Sequence, residues 1–302
     1  MRILVTGREG QVARSLAERA SGRTVDLIML GRPELDLAGP ADAIVAAVEA
    51  SEPDAIVSAA AYTQVDKAES EPDLAFAINE RGAEAVARAA SRLGVPLVHL
   101  STDYVFDGSK AEPYVEDDLP APSGVYGVSK LAGERAVLAA HQNCAVLRTA
   151  WVYSPFGANF VKTMLRIAGD REEVGVVADQ LGNPTSALDI ADAVFSVVGN
   201  LLATSEPRLR GVFHMAAAGG ASWAELAQAV FDLSRKAGGP SAKVKRISTA
   251  DYPTAAKRPA NSRLDCSRLE QIHGIRLPDW HNSLKVVVDP LIQSGAPGAA
   301  NQ

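Results

Sequence analysis

The stretch Arg2-Ile-Leu-Val-Thr-Gly7-Arg-Glu-Gly10-Gln-Val-Ala13 decides the fold. A short apolar, β-branched run, Ile3 to Thr6, turns at a glycine and passes directly into a helical pattern, Gln11 to Ala20. A strand that is apolar at nearly every position is covered on both faces, which is the habit of parallel sheets. The G-x-x-G-x-x-A spacing provides a tight turn at Gly7, close backbone approach at Gly10, and a small residue, Ala13, where the helix packs on the sheet. Backbone N–H groups of Gly10, Gln11 and Val12 then point out of the helix N-terminus, where the partial positive charge favours a pyrophosphate. An ordinary strand-turn-helix carries the same letters. The loop's place at the head of an alternating β/α chain favours the dinucleotide reading.

Outward from this loop, Val25 to Leu30, Ala55 to Ala59, Leu97 to Ser101 and Ala145 to Thr149 read as further strands. Pro40 to Ala50, Pro72 to Leu93 and Tyr126 to Ala140 read as the helices between them. Right-handed crossovers joining buried parallel strands make a doubly wound, Rossmann-like α/β sheet, with ligands at the carboxyl ends of its strands. After Trp151 the alternation is interrupted by Pro155-Phe-Gly157, Gly182-Asn-Pro184 and Lys236-Ala-Gly-Gly-Pro-Ser241. A second, smaller α/β substrate lobe is expected there, over about 151–185 and 217–290. Asp189 to Leu202 and Gly211 to Ala216 read as a helix and a last strand returning to the first sheet. The dinucleotide-binding domain is therefore expected at 1–150 plus about 186–216. The tail, 294–302, lacks large apolar residues and is expected to be disordered.

Composition narrows the function. With 302 residues, 47% of them apolar, the chain can fill a large core. A formal charge of −6 without a basic run argues against a nucleic-acid partner. The first apolar run is too short for a signal peptide, and no stretch approaches the ~20 apolar residues of a membrane helix. A cytoplasmic protein with no membrane partner is expected. Cys144 and Cys266 lie far apart and outside metal-ligand spacing, so both read as buried free thiols.

Several residues read as a reaction centre. Tyr126 and Lys130 stand four apart on one face of a helix, so an ammonium can lie beside a phenol and draw its pKa down toward neutrality. The pair can border the cofactor as well, Lys130 at the nicotinamide ribose; an amphipathic pair on a surface helix is the competing reading. Thr102, in Ser101-Thr-Asp103-Tyr104, ends a strand at the edge where the site must lie, and its hydroxyl can bond a substrate carbonyl; a turn cap is the competing use. At the end of the second strand Arg32 replaces the acid that would bind a ribose 2′-hydroxyl, and it can accept a 2′-phosphate; a solvated loop cation is the alternative. NADPH is thus expected over NADH. Asp36 and Leu37 are placed to border the adenine, an acid simply approaching the next helix being the competing account, and Asn79 faces back toward the site or serves structure alone.

The segments Gly7 to Ala13, Ala59-Ala-Ala-Tyr-Thr-Gln-Val-Asp-Lys-Ala-Glu69, Ser101 to Gly108, Tyr126-Gly-Val-Ser-Lys130, Arg148-Thr-Ala-Trp-Val-Tyr153, Asp179 to Thr185 and Arg258-Pro-Ala-Asn-Ser262 together resemble the extended short-chain dehydrogenase/reductases, over residues 1–290. The resemblance implies a nicotinamide cofactor giving hydride to the C4 ketone of dTDP-4-dehydro-L-rhamnose, a dTDP-linked 4-keto-6-deoxy sugar, while Tyr126 donates the proton. It further implies that Thr102 polarises the ketone and Trp151 packs on the deoxysugar. Asp103 and Val65 would border the substrate, and Ala61, Tyr62 and Thr63 the cofactor. Arg258 and Asn261 would lie near the nucleotide, with a loop-structural role as the competing account; for Trp151 the rival is interdomain core. Some relatives dimerise through a glutamate-held metal, and Ser15 stands where one glutamate would be. No metal is expected, and monomer and homodimer stay open. Two rivals remain. A 4,6-dehydratase needs an acid after Thr-Asp, where this chain has Tyr104, and a non-catalytic regulatory subunit would be expected to lose Tyr126 or Lys130.

Overall fold

The structure, a computed structural model, describes residues 1–295 of the chain. From residue 296 onward the tail expected at 294–302 lies outside the described residues. The first half runs β1 (Arg2–Thr6), α1 (Gln11–Ala20), β2 (Asp26–Leu30), α2 (Ala41–Glu49), β3 (Ala55–Ser58), α3 (Val65–Ala68) and α4 (Pro72–Phe76). A widened π-helical turn, Ala77–Gly82, joins α4 to α5 (Ala83–Leu93), and β4 (Leu97–Thr102), α6 (Val125–Ala140) and β5 (Cys144–Thr149) follow. The second half contains β6 (Val152–Tyr153), α7 (Phe160–Ala168), β7 (Glu173–Val177), β8 (Leu181–Gly182), β9 (Thr185–Ser186) and α8 (Ala187–Ala203). It continues with β10 (Gly211–His214), β11 (Ala221–Ser222), α9 (Trp223–Lys236), β12 (Lys243–Ile247), α10 (Ser267–His273) and α11 (Trp280–Gln293).

Six strands pair in parallel in the order β2-β1-β3-β4-β5-β10. Side chains of β1 alternate between two buried layers: Ile3 and Val5 enter a cluster with residues of α1 and α8, and Leu4 enters another with α2, α5 and α6. Covering both faces explains why the strands read as unbroken apolar runs, and each such side chain contributes roughly 1.5–3 kcal/mol. The chain leaves β1 for β2 on one side and returns to β3 on the other. Strand order therefore reverses at β1, and a crevice opens above the carboxyl ends of β1 and β3.

One expected element differs. The helix read as continuous from Pro72 to Leu93 is broken by the π turn, whose extra residue carries Asn79 inward. The Asn79 amide accepts from Tyr62 N (2.8 Å) and donates to Tyr62 O (3.1 Å) and to Ser129 Oγ on α6 (3.0 Å). Gly133 lets α6 rest directly on this turn, because a Cβ there would stand 1.9 Å from the Asn79 carbonyl oxygen. Outside the main sheet, α7, α9 and α11 pack with β7 around a separate apolar cluster that includes Phe231, Trp280 and Leu284. Among the described residues, no helix is long and apolar enough to cross a membrane.

Candidate active site

A cleft of about 1260 Å³ runs from the β1–α1 loop across the carboxyl ends of β3, β4 and β5 to Phe160 and Trp223. Gly7 lines its floor with φ +94°, a conformation that favours glycine, and packs against Ala60. The Thr6 hydroxyl accepts from the amides of Ala59 and Ala60 at 3.0 Å each, tying the ends of β1 and β3 together under the crevice. No side chain caps the N-terminus of α1, and a Cβ on Gly10 would meet nothing within 4 Å. Open amides at a helix N-terminus suit a pyrophosphate, so these residues fit a dinucleotide.

Gly10, Gln11, Val12, Arg32, Asp36, Leu37, Ala61, Tyr62 and Thr63 all line the same cleft. Asp36 is occupied in a turn, Oδ1 accepting from Ala38 N at 3.0 Å, and Leu37 is buried. Arg32 is exposed. Sequence reasoning overlooked Arg8, whose Nε donates to Met29 O (3.1 Å) and whose Nη1 pairs with Glu34 (2.8 Å), placing a guanidinium at the end of β2. It also missed the side chain of Gln11. Its Oε1 accepts from Ser154 Oγ (2.9 Å) and Asn159 Nδ2 (3.0 Å), and its Nε2 donates to Val152 O (3.3 Å).

Thr102, Asp103, Tyr126 and Lys130 all line the cleft. The Thr102 hydroxyl donates to Asp103 Oδ1 (3.0 Å) and accepts from Tyr104 N (3.2 Å). Asp103 is buried, its Oδ2 without a partner, and burial pushes its carboxyl up to about 6. Lys130, 2% exposed, donates to the Leu100 carbonyl at 2.6 Å. Burial drives its ammonium down to about 8, with Glu134 pulling the other way. The expectation for Tyr126 needs correction. Desolvation raises its phenol to about 12, the Thr102 hydroxyl opposing and the Asp103 carboxylate adding to the rise. Tyr104 packs edge-on against Tyr126, centroids 5.6 Å apart, and desolvation raises its phenol as well.

Trp151 and Val65 also line the cleft. The Trp151 ring stacks on Trp223, a residue that sequence reasoning missed because it arrives from α9. Arg258 and Asn261 do not reach the lining. Arg258 forms a two-pronged pair with Asp66 (3.0 and 2.7 Å), and the Asn261 amide donates to the carbonyls of Lys110 (2.7 Å) and Glu112 (2.9 Å). Both side chains are already engaged in holding loops. Of the two free thiols, Cys144 is buried, while Cys266 is only half-buried.

Residues 1–293 match the family described as RmlD substrate binding domain. A dTDP-4-dehydrorhamnose reductase of Sinorhizobium fredii is 52% identical over 296 residues, covering 98% of this chain and 99% of its own. A solved dTDP-4-dehydrorhamnose reductase of Clostridium acetobutylicum superposes with a TM-score of 0.88 at 37% identity, over 96% of this chain and 99% of its own. Another, from Bacillus anthracis in complex with NADP, has a TM-score of 0.88 at 36% identity, over 95% of this chain and 98% of its own. Matched over nearly its whole length by family, sequence and fold, the chain belongs to the dTDP-4-dehydrorhamnose reductases.

Proposed function

We propose that the chain reduces the C4 ketone of dTDP-4-dehydro-L-rhamnose to give dTDP-L-rhamnose, a sugar donor for surface polysaccharide, with NADPH preferred and NADH accepted. The observation that carries this reading is the meeting of Thr102, Tyr126 and a fully buried Lys130 in one cleft with the uncapped α1 terminus. The bound nicotinamide supplies hydride. Gly7, Gly10, Gln11 and Val12 hold its pyrophosphate, Arg8 and Arg32 take a 2′-phosphate, and Ala61, Tyr62 and Thr63 lie along the dinucleotide.

The Thr102 hydroxyl turns from Asp103 to donate to the ketone oxygen, and Tyr126 delivers the proton to it. A phenol held protonated by burial is a competent donor to a developing alkoxide, and Lys130, one turn along α6, is the cation assigned here to ease the phenolate left behind. Trp151 and Val65 form the apolar face toward the deoxysugar, and Asp103 accepts from a sugar hydroxyl. On this reading residues 1–150 with about 186–216 carry the dinucleotide, and about 151–185 with 217–290 the sugar nucleotide. Tyr104 weighs against a dehydratase, because a phenol raised by burial is a poor group for removing a proton at neutral pH.

The test is incubation with dTDP-4-dehydro-L-rhamnose and NADPH, following nicotinamide absorbance and identifying the product by NMR. Stoichiometric oxidation with formation of dTDP-L-rhamnose is expected. A folded, cofactor-bound protein that leaves the ketone unreduced defeats the reading. Turnover of dTDP-glucose without net cofactor oxidation would install the dehydratase in its place.

A further inference from the structure

Behind the cleft lies a buried charge cluster. Glu134, 2% exposed, stands one helical turn beyond Lys130 on α6. It receives Arg148 in two-pronged fashion, Nε to Oε1 at 2.9 Å and Nη2 to Oε2 at 2.7 Å, and Ser101 Oγ donates to Oε1 at 2.5 Å. Ser101 and Arg148 are register partners on β4 and β5, so both reach the same carboxylate from adjacent strands. Three consecutive residues of β4 thus divide the work. Leu100 O takes the Lys130 ammonium, Ser101 holds Glu134, and Thr102 faces the cleft.

Stability alone does not account for such a pair. Two charges taken out of water lose hydration that their attraction barely returns, and apolar side chains of similar volume commonly serve the fold as well. A fixed carboxylate one turn from an ammonium does have an effect on that ammonium, because the low-dielectric interior strengthens it. We propose that Glu134, held by Arg148 and Ser101, is the positioning residue that keeps Lys130 cationic and aimed at the Leu100 carbonyl edge of the cleft. The inference rests on the reading of Lys130 as the working cation beside Tyr126.

The surroundings leave the role to Glu134. From β4, His99 is fully buried, its Nδ1 at Ser58 Oγ (3.1 Å), and desolvation together with the Lys130 charge keeps its ring neutral. From β5, Arg148 is itself a cation, lying over the Phe106 ring. From the π turn, Asn79 reaches α6 only at Ser129. Of the carboxylates, Asp103 is bonded to the Thr102 hydroxyl and faces the cleft, whereas Glu134 is buried one turn from Lys130 on the same helix.

The experiment is the pH profile of kcat/KM for the dTDP-linked 4-keto sugar with saturating NADPH. Glu134→Gln should move the alkaline limb down by about one pH unit, lowering the rate about fivefold at pH 8, and Glu134→Asp should recover part of the shift. Because Glu134→Gln strands a buried Arg148, the double variant Glu134→Met/Arg148→Met carries the same test without an unpaired charge. Folded and binding NADPH, it should still show the limb lowered by about half a unit. A double variant with the parent's alkaline limb overturns the inference, and so does failure of the double variant to fold, which would assign the pair to the fold alone. Lys130→Met beside them separates the two readings: unchanged turnover there defeats the catalytic role of Lys130, not the effect of Glu134.

Discussion

The indole of Trp151 lies face to face on that of Trp223, with ring centroids 3.5 Å apart and planes 3° from parallel. Trp151 follows β5 with φ +45°, and Trp223 opens α9 with its Nε1 donating to Gln180 (3.2 Å). The ring proposed to meet the sugar is therefore backed by the other side of the cleft. An aromatic pair adds about 0.5–1.5 kcal/mol beyond area burial. Trp223→Ala should raise KM for the sugar nucleotide by about twofold to tenfold and leave kcat within about twofold. Steady-state kinetics with each substrate checks this, and an equal fall in kcat would instead tie the pair to the chemical step.

Tyr126→Phe keeps the ring that packs on Tyr104 and removes the proposed proton donor. Turnover should fall by on the order of 10²-fold or more, the usual weight of a positioned general acid. NADPH affinity, measured by fluorescence titration, should stay within a few fold. Joint loss of cofactor binding and thermal stability would make Tyr126 a structural residue.

Lys130 sets an alkaline limit. Its folded value is depressed to about 8 against an ordinary value of 10.5, so the cation is present below about pH 8 and lost above it. On the catalytic reading, kcat/KM should decline as pH rises through about 8, and Lys130→Arg, which stays charged, should lose that limb even if it is slow. Stability runs the opposite way. The unfolded chain keeps this proton up to about 10.5, so between about pH 8 and 10.5 the group makes the folded state more stable as pH rises. Lys130→Met should accordingly raise the melting temperature at pH 7 while abolishing turnover, and a lowered melting temperature would show that the ammonium supports the fold.

Arg8 and Arg32 both line the cleft at the end of β2, but only Arg8 is anchored, to Met29 O and Glu34. A guanidinium fixed in place loses less freedom on taking a phosphate. Arg8→Ala should lower the NADPH to NADH ratio of kcat/KM by about threefold to tenfold, and Arg32→Ala by less, given the exposure of both sites. Equal ratios in parent and variants would mean that neither guanidinium reads the 2′-phosphate.

The strands of the main sheet were legible because residues such as Ile3, Leu4 and Val5 are buried in both layers and leave an unbroken apolar run. The π turn at Asn79 was not, since one extra residue in a turn leaves the 3.6-residue pattern on either side intact. Spacing placed Tyr126 and Lys130 on one helix face, and only the Ser101-Thr102-Asp103 strand end singled the pair out from an ordinary amphipathic one. Their electrostatics were not legible, because the burial that raises the phenol and lowers the ammonium comes from elements distant in the sequence. Trp223 lies 72 positions beyond its stacking partner, and nothing local marks it. Asn261 misled for the same reason: an Asn in a Pro-containing turn looks alike whether it faces a ligand or, as here, bonds the Lys110 and Glu112 carbonyls.

The walls of the cleft come from residues as far apart as Thr6 and Leu226. The sixth strand, β10, and the helix that covers Ile3 and Val5, α8, both follow residue 186. No contiguous piece of this chain is a smaller version of the whole. Cut after Thr149, the amino-terminal fragment would keep the glycine loop, Tyr126 and Lys130, yet expose β5 as a bare edge and one face of its sheet to water. Reassembly from separately made halves would have to rebuild a core layer and a reaction chamber in the same event.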